Sequence, residues 1–144
     1  NTRLVGSEMC IRDRQIIDDY PMELVSPVDW TDESQNINDR VRSYLDVNCG
    51  HCHSPTGNAN STGLYLHLDE TRNIHLGLYK KPVATGRGSG GLKYSIVPGK
   101  PDESILLHRM ISLDPGVMMP ESGRALSHTE AVDMVREWIL VMED

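Results

Sequence analysis

The sequence predicts an all-α fold, three or more helices joined by one long irregular loop. Three observations carry that expectation. Apolar residues recur at helical spacing in three separate stretches, near residues 37–45, 101–111 and 127–142. No stretch reads as a confident strand. Most of the glycines and many small polar residues crowd into residues 54–100, which follow neither period.

The first helix rests on Ile37, Val41, Tyr44 and Leu45, spaced i, i+4, i+7, i+8, with Asp32, Ser34 or Asn36 available as its cap. It runs directly into Cys49, which places the thiols at its C-terminal end. Residues 54–100 offer only short apolar patches, Leu64/Leu66 and Ile96/Val97. A loop of that length belongs in a compact domain only if it wraps something. Pro101, Asp102 and Glu103 open a second helix, with Leu106, Leu107, Met110 and Ile111 on one side. "DPGVMMPESGR" (Asp114 to Arg124) is kept irregular by Pro115, Gly116, Pro120 and Gly123. Ser127 and Glu130 suggest a capping box for a last helix whose face is Ala131, Val132, Val135, Trp138, Ile139 and Met142.

Upstream, residues 18–33 are acidic, carry Pro21 and Pro27 and show no period, so they read as an extended strap on which Trp30 can still pack. "LVGSEMCIRDR" (Leu4 to Arg14) resembles a peptide that recurs where sequencing adapter is translated at the ends of environmental gene sequences; the alternative is a native tail. The expected organisation is therefore an artefact or tail over 1–14, a linker over 15–35 and one domain over 36–144, with Cys10 outside the domain.

At 144 residues, with 38% hydrophobic and 24% charged residues, the chain suits one globular domain. No apolar run approaches the roughly 20 residues that cross a bilayer. A formal charge of −7 argues against nucleic acid, which needs a basic face. Phe is absent and aromatics make up 5%, so a core of Leu, Ile, Val and Met would be thin, and a large apolar cofactor would complement it.

"NCGHCHSP" (residues 48–55) concentrates two thiols and two imidazoles in Cys49-Gly50-His51-Cys52-His53. Zinc would need four ligands, usually two separated pairs, and His67, His75, His108 and His128 are isolated. A redox dithiol belongs at a helix N-terminus, where the dipole lowers a thiol pKa, whereas this pair follows a helix. Cys-x-x-Cys-His is instead the attachment signature of c-type haem: two intervening residues let two thioethers reach one porphyrin edge, and the next residue offers its imidazole to the iron. That assigns Cys49, Cys52 and His53 to one covalent haem c, with iron on His53. For the opposite axial position the candidates are Met110, Met118 and Met119. Met110 lies on a helical apolar stripe, whereas Met118 and Met119 lie in the Pro/Gly loop, and Pro120 stiffens the chain just after Met119. Met119 is the expected ligand; Met118 and, for a bis-histidine haem, His108 are the alternatives. Arg87 and Tyr94 flank "GRGSGG" (Gly86 to Gly91) and could bond haem propionates or be ordinary surface residues. That glycine run matches the dinucleotide fingerprint but lacks the strand before and helix after it, so it reads as a tight turn or a close approach to the porphyrin. Leu64, Leu66 and Val97 are the expected apolar contacts of the ring.

With helix, Cys-x-x-Cys-His, wrapping loop, Met-Pro loop and final helix in that order, residues 36–142 resemble the class I cytochrome c domain. "YLDVNCGHCH", "GRGSGGLKYSIVPGKPDESILLHRM" and "DPGVMMPESGR" further resemble the C-terminal monohaem cytochrome domain of an uncharacterised family of exported bacterial proteins. The resemblance implies first and last helices crossing near the haem edge, with Tyr44 and Trp138 in aromatic contact. It implies one-electron transfer with His53/Met119 ligation, by an electron-transfer module and not a catalyst. Alternatives are a peroxidase-type haem enzyme, an electron-accepting module fused to an upstream oxidoreductase domain, and a sensor or structural module. Haem attachment takes place outside the cytosol, so a periplasmic or otherwise exported protein is expected, its signal sequence lying upstream of these residues. The acidic balance implies a redox partner with a basic docking patch.

Overall fold

The computed structural model describes residues 26–143, so the 1–14 stretch, Cys10 and Pro21 lie outside the described residues. Four α-helices follow in order: α1 (Ile37–Leu45), α2 (Asn73–Leu76), α3 (Ile105–Ile111) and α4 (Thr129–Leu140). Tight turns of 3-10 type occupy Asn60–Thr62, Gly86–Ser89 and Pro101–Glu103. Among the described residues there is no strand; Leu78–Ile96 and Tyr94–Ser104 form isolated bridges only. The fold is helical, as the periodicity predicts, and none of the described helices is long and apolar enough to cross a membrane.

Asn36 caps α1 by accepting the Asn38 N–H at 2.8 Å, one of the three caps that the sequence offers. Val41, Tyr44 and Leu45 face inward, and α4 answers with Ala131, Val132, Met134, Val135, Trp138 and Ile139. Val41, Val135 and Ile139 are fully sealed from solvent, so the α1–α4 seam is the centre of the core. α3 adds Leu107 and Met110 to the same cluster. The strap docks as expected of Trp30: its ring meets Tyr44 edge-on at 5.5 Å and His128 at 5.2 Å, and its carbonyl accepts Arg40 Nε at 2.8 Å.

Three local expectations need correction. The Ser127/Glu130 box does not form: His128 is the N-cap of α4 without a side-chain bond, and Ser127 Oγ donates to the Met110 carbonyl at 3.2 Å instead. Pro101 opens a 3-10 turn, not α3, and Ser104 separates the two; within α3 Ile105 is buried and Ile111 is exposed. Tyr44 contacts Trp30 and His128, not Trp138, whose indole N–H donates to Asn38 Oδ1 at 3.1 Å.

The long segment is bound back onto the helices. Leu66 and Ile96, at 2% and 0% exposure, enter the core, so this segment supplies apolar mass that the helices lack. Its backbone is tied by Leu66 N–H to the His53 carbonyl, Ile96 N–H to the Gly77 carbonyl, and Gly99 N–H to the Ile139 carbonyl, at 2.8, 2.9 and 2.8 Å. Arg42 of α1 donates to three carbonyls of one turn of it, those of His67, Leu68 and Glu70, at 3.0, 2.8 and 2.7 Å. Glu70 closes the turn by accepting the Thr71 and Arg72 N–H groups and pairing with the Arg72 guanidinium at 2.7 Å.

Those bonds, the Arg72 side chain first, hold the Glu70 carboxyl down to about 2 from an ordinary 4.5. A depressed carboxyl contributes stability above its unfolded pKa, here the ordinary 4.5, and that contribution disappears as pH falls through about 2. Glu70→Gln is therefore expected to melt at a lower temperature than the parent at pH 7. The gap should close as the pH of the melts is lowered toward 2.

Candidate functional site

α1 does not stop at Leu45 but loosens into a π-helical turn, Asp46–Gly50, that carries Cys49. The Cys49 carbonyl then accepts the N–H groups of Cys52 at 3.1 Å and His53 at 2.8 Å, so residues 49–53 form one continuous turn beyond the helix. This is the position the sequence predicts for the thiols. The turn is held from outside as well: the Cys52 carbonyl accepts Ala59 N–H at 3.0 Å. Gly57 is required there, because a Cβ on it would lie 2.2 Å from the Cys52 carbonyl oxygen and 2.8 Å from that of His51.

Both thiols are free and half-buried. Burial first, and the neighbouring Cys52 second, push the Cys49 thiol up to about 12, so it is protonated at neutral pH. A redox dithiol requires the opposite shift. Nor do the described residues contain any group of three His, Cys, Asp or Glu side chains able to hold a metal ion, which a zinc centre needs.

Burial lowers the His53 pKa, which keeps the imidazole neutral with a lone pair to give. Its Nδ1 is sealed inside the protein without a hydrogen bond of good geometry. The Leu64 backbone acts on the ring as a hydrogen-bonding group and opposes the burial effect, which makes it the carbonyl poised to orient this imidazole. With Nδ1 sealed, Nε2 is the nitrogen left for a bound group.

The methionine loop hangs from α3. Met119 N–H donates to the Arg109 carbonyl at 3.0 Å, and Arg109 Nε donates to the Val117 carbonyl at 2.8 Å. Arg124 returns to the C-terminal end of α3 and donates to the carbonyls of Met110 at 2.7 Å, Arg109 at 3.1 Å, and Ser112. Met118 N–H bonds within the loop itself, to the Asp114 carbonyl at 2.7 Å. Both methionines are half-buried while Val117 is buried, and the Met119–Pro120 peptide is cis. Arg109 and Glu121 both act electrostatically on His53, Arg109 lowering and Glu121 raising its pKa. Arg109, on which Met119 hangs, and Glu121 are therefore within electrostatic reach of His53.

Of the remaining expected residues, Arg87 joins this loop: its guanidinium grips the Asp114 carboxylate at 3.0 and 3.1 Å and lies over Gly116. Tyr94 does not join it; its ring meets Tyr79 and lines a concavity bordered by none of Cys49, Cys52, His53, Met118 or Met119. Met110 is a core residue, as its stripe predicts. The "GRGSGG" run forms a 3-10 turn followed by left-handed Gly90 and Gly91, and its close approach is to α3: a Cβ on Gly90 would lie 2.6 Å from the His108 ring. Sequence reasoning missed Arg109, Arg124 and Glu121, and gave His128 no role, although His128 Nδ1 lies 3.1 Å from the Tyr44 hydroxyl. A basic residue just before and just after a Met-Pro loop was the available signal.

The chain matches no family model, no curated protein and no solved structure. The site must be read from its own residues. Gly57→Ala is expected to force the Cys52 carbonyl outward, at a cost of about 1–3 kcal/mol as overpacking of a tight contact. Urea unfolding of the variant beside the parent measures it; unchanged stability would mean that the turn has room the geometry denies.

Proposed function

We propose that residues 36–144 form a monohaem, class I-like cytochrome c domain of the exported bacterial type, and that it transfers single electrons between redox proteins. One observation supports this reading above the others: the turn that carries Cys49, Cys52 and a neutral His53 lies within electrostatic reach of Arg109, whose carbonyl holds the Met119 N–H.

When bound, haem supplies an iron centre that takes up and returns one electron. Cys49 and Cys52 would hold it through thioethers; burial keeps the Cys49 thiol protonated, which disfavours metal–thiolate or disulfide-exchange chemistry there. His53 offers a lone pair at neutral pH because burial disfavours its protonated form. The Leu64 backbone is the group placed to orient the ring from its Nδ1 side. Met119 is favoured over Met118 because its backbone is hung on α3 through Arg109, whereas Met118 belongs to the loop's internal turn. A thioether on that side raises a haem's potential. Arg87 would serve a propionate in exchange with Asp114, since a guanidinium matches either carboxylate. The net acidity of the chain favours a partner with a basic patch, docked in a salt-sensitive way. Export to the periplasm follows from the chemistry of haem attachment.

The test is expression with export in a host that matures c-type cytochromes. The purified chain is expected to carry the mass of one covalent haem, and its ferric form to show the red-edge charge-transfer band of methionine ligation. Met119→Ala should abolish that band and Met118→Ala should leave it. A colourless product with the mass of the bare chain would overturn the proposal. A high-spin ferric spectrum with peroxide turnover in the parent would replace electron transfer with peroxidase chemistry.

A further inference from the structure

The chain has four lysines, Lys80, Lys81, Lys93 and Lys100, and all of them fall within residues 80–100. On a chain of formal charge −7 that is a local reversal of sign. Lys93 and Lys100 line a concavity of about 480 Å³ together with Tyr79, Tyr94, Pro98 and Glu103. The volume lies in the range, roughly 300–1,000 Å³, of pockets that take small organic molecules.

The two tyrosines are held by backbone on both sides. Tyr79 has φ 48°, the left-handed region, and is the one non-glycine residue there among the described residues. Its N–H donates to the Ile96 carbonyl at 2.9 Å, and on either side Lys80 N–H donates to Gly77 and Ser95 N–H to Lys80 at 3.1 and 2.8 Å. Such a conformation persists where its surroundings over-determine it, and it occurs preferentially at ligand clamps. Opposite, the Tyr94 carbonyl accepts Ile105 N–H at 3.1 Å, which anchors that ring to the start of α3. The rings meet edge-to-face, centroids 5.8 Å apart at 84°. Aromatic edges and faces in this arrangement select a further flat ring. Glu103 is the one carboxylate of the lining, and it already lies 3.3 Å from Lys100 Nζ. Two ammonium groups against one carboxylate leave a positive charge at the mouth, with Lys93 exposed.

We propose that this concavity binds a small organic anion built on a flat ring, of the aromatic carboxylate class. The ring lies against Tyr79 and Tyr94, and the carboxylate faces Lys93 and Lys100. None of Cys49, Cys52, His53, Met118 and Met119 lines the site, so its test does not depend on haem attachment or ligation; Tyr94 and Val97, named above as candidate haem contacts, do line it and are assigned here to this concavity instead.

The experiment is an NMR titration of the full chain, following the tyrosine ring signals, with benzoate, acetate and benzyl alcohol as probes. Saturable binding of benzoate is expected, with Tyr79 and Tyr94 shifting together, and acetate and benzyl alcohol binding more weakly because each lacks one half of the match. Lys93→Gln, a surface change that leaves packing intact, should weaken benzoate about three- to tenfold. Tyr94→Ala should abolish the coupled shift. No saturable binding, acetate binding as well as benzoate, or an unchanged affinity in Lys93→Gln would each overturn the proposal.

Discussion

The seam between α1 and α4 is the contact on which the rest of the domain depends. Val41 and Leu45 meet Val135 and Ile139 with almost no exposure, and burial of that kind is the dominant favourable term available to a chain without Phe. Because α1 is locked there, its C-terminal end has one place to emerge, and the π-turn that bears Cys49 emerges with it. α3 packs on α4 as well, so the element that holds the methionine loop shares a base with the element that holds the thiols. The two halves of the candidate site are positioned by one helix that contributes no residue to it.

A thin core cannot by itself order long irregular segments, since each ordered residue costs roughly 1–2 kcal/mol of backbone entropy. Arginine supplies the missing restraint. Arg40 ties down Trp30, Arg42 the 67–70 turn, Arg109 the Val117 carbonyl and Arg124 the end of α3. In every case the acceptor is a backbone carbonyl that no strand or helix would have satisfied. The guanidinium suits this task because it offers several donors in one plane and stays charged when partly buried. Burial lowers the pKa of Arg42 and Arg109 from the high value usual for a guanidinium.

That device also marks the boundary of what the sequence discloses. Helical periodicity and the Asn36 cap are local patterns, and α1, α3 and α4 were legible from them to within a few residues. The spacing of Cys49, Cys52 and His53 is equally local. The capping box failed because Ser127 had a tertiary competitor, the Met110 carbonyl, which no window around residue 127 contains. Ile111 was assigned to the inner face by its spacing from Leu107 and Met110, but it is the last residue of the helix and stands exposed beyond the packed face. The wrapping segment had no period to read, because its order comes from arginines up to 28 residues away and from single apolar anchors such as Leu66 and Ile96. Long-range side-chain-to-carbonyl bonds leave no periodic trace.

The division between arginine and lysine follows from the same constraint and shapes the surface. The half-buried Arg40, Arg42, Arg109 and Arg124 are committed to carbonyls, and Arg72, Arg87 and Arg136 to Glu70, Asp114 and Asp102. Positive charge held in this way is matched at short range and projects little field beyond it. The lysines are compact cations on flexible stems, and chain order puts all four in one stretch, 80–100, of which Lys93 and Lys100 line the hollow with Tyr79 and Tyr94. The molecule therefore presents two electrostatic characters: a broadly acidic body, and one basic, aromatic-lined hollow. An approaching macromolecule meets the first and a small anion can reach the second, so the two proposed modes of recognition need not compete for the same surface.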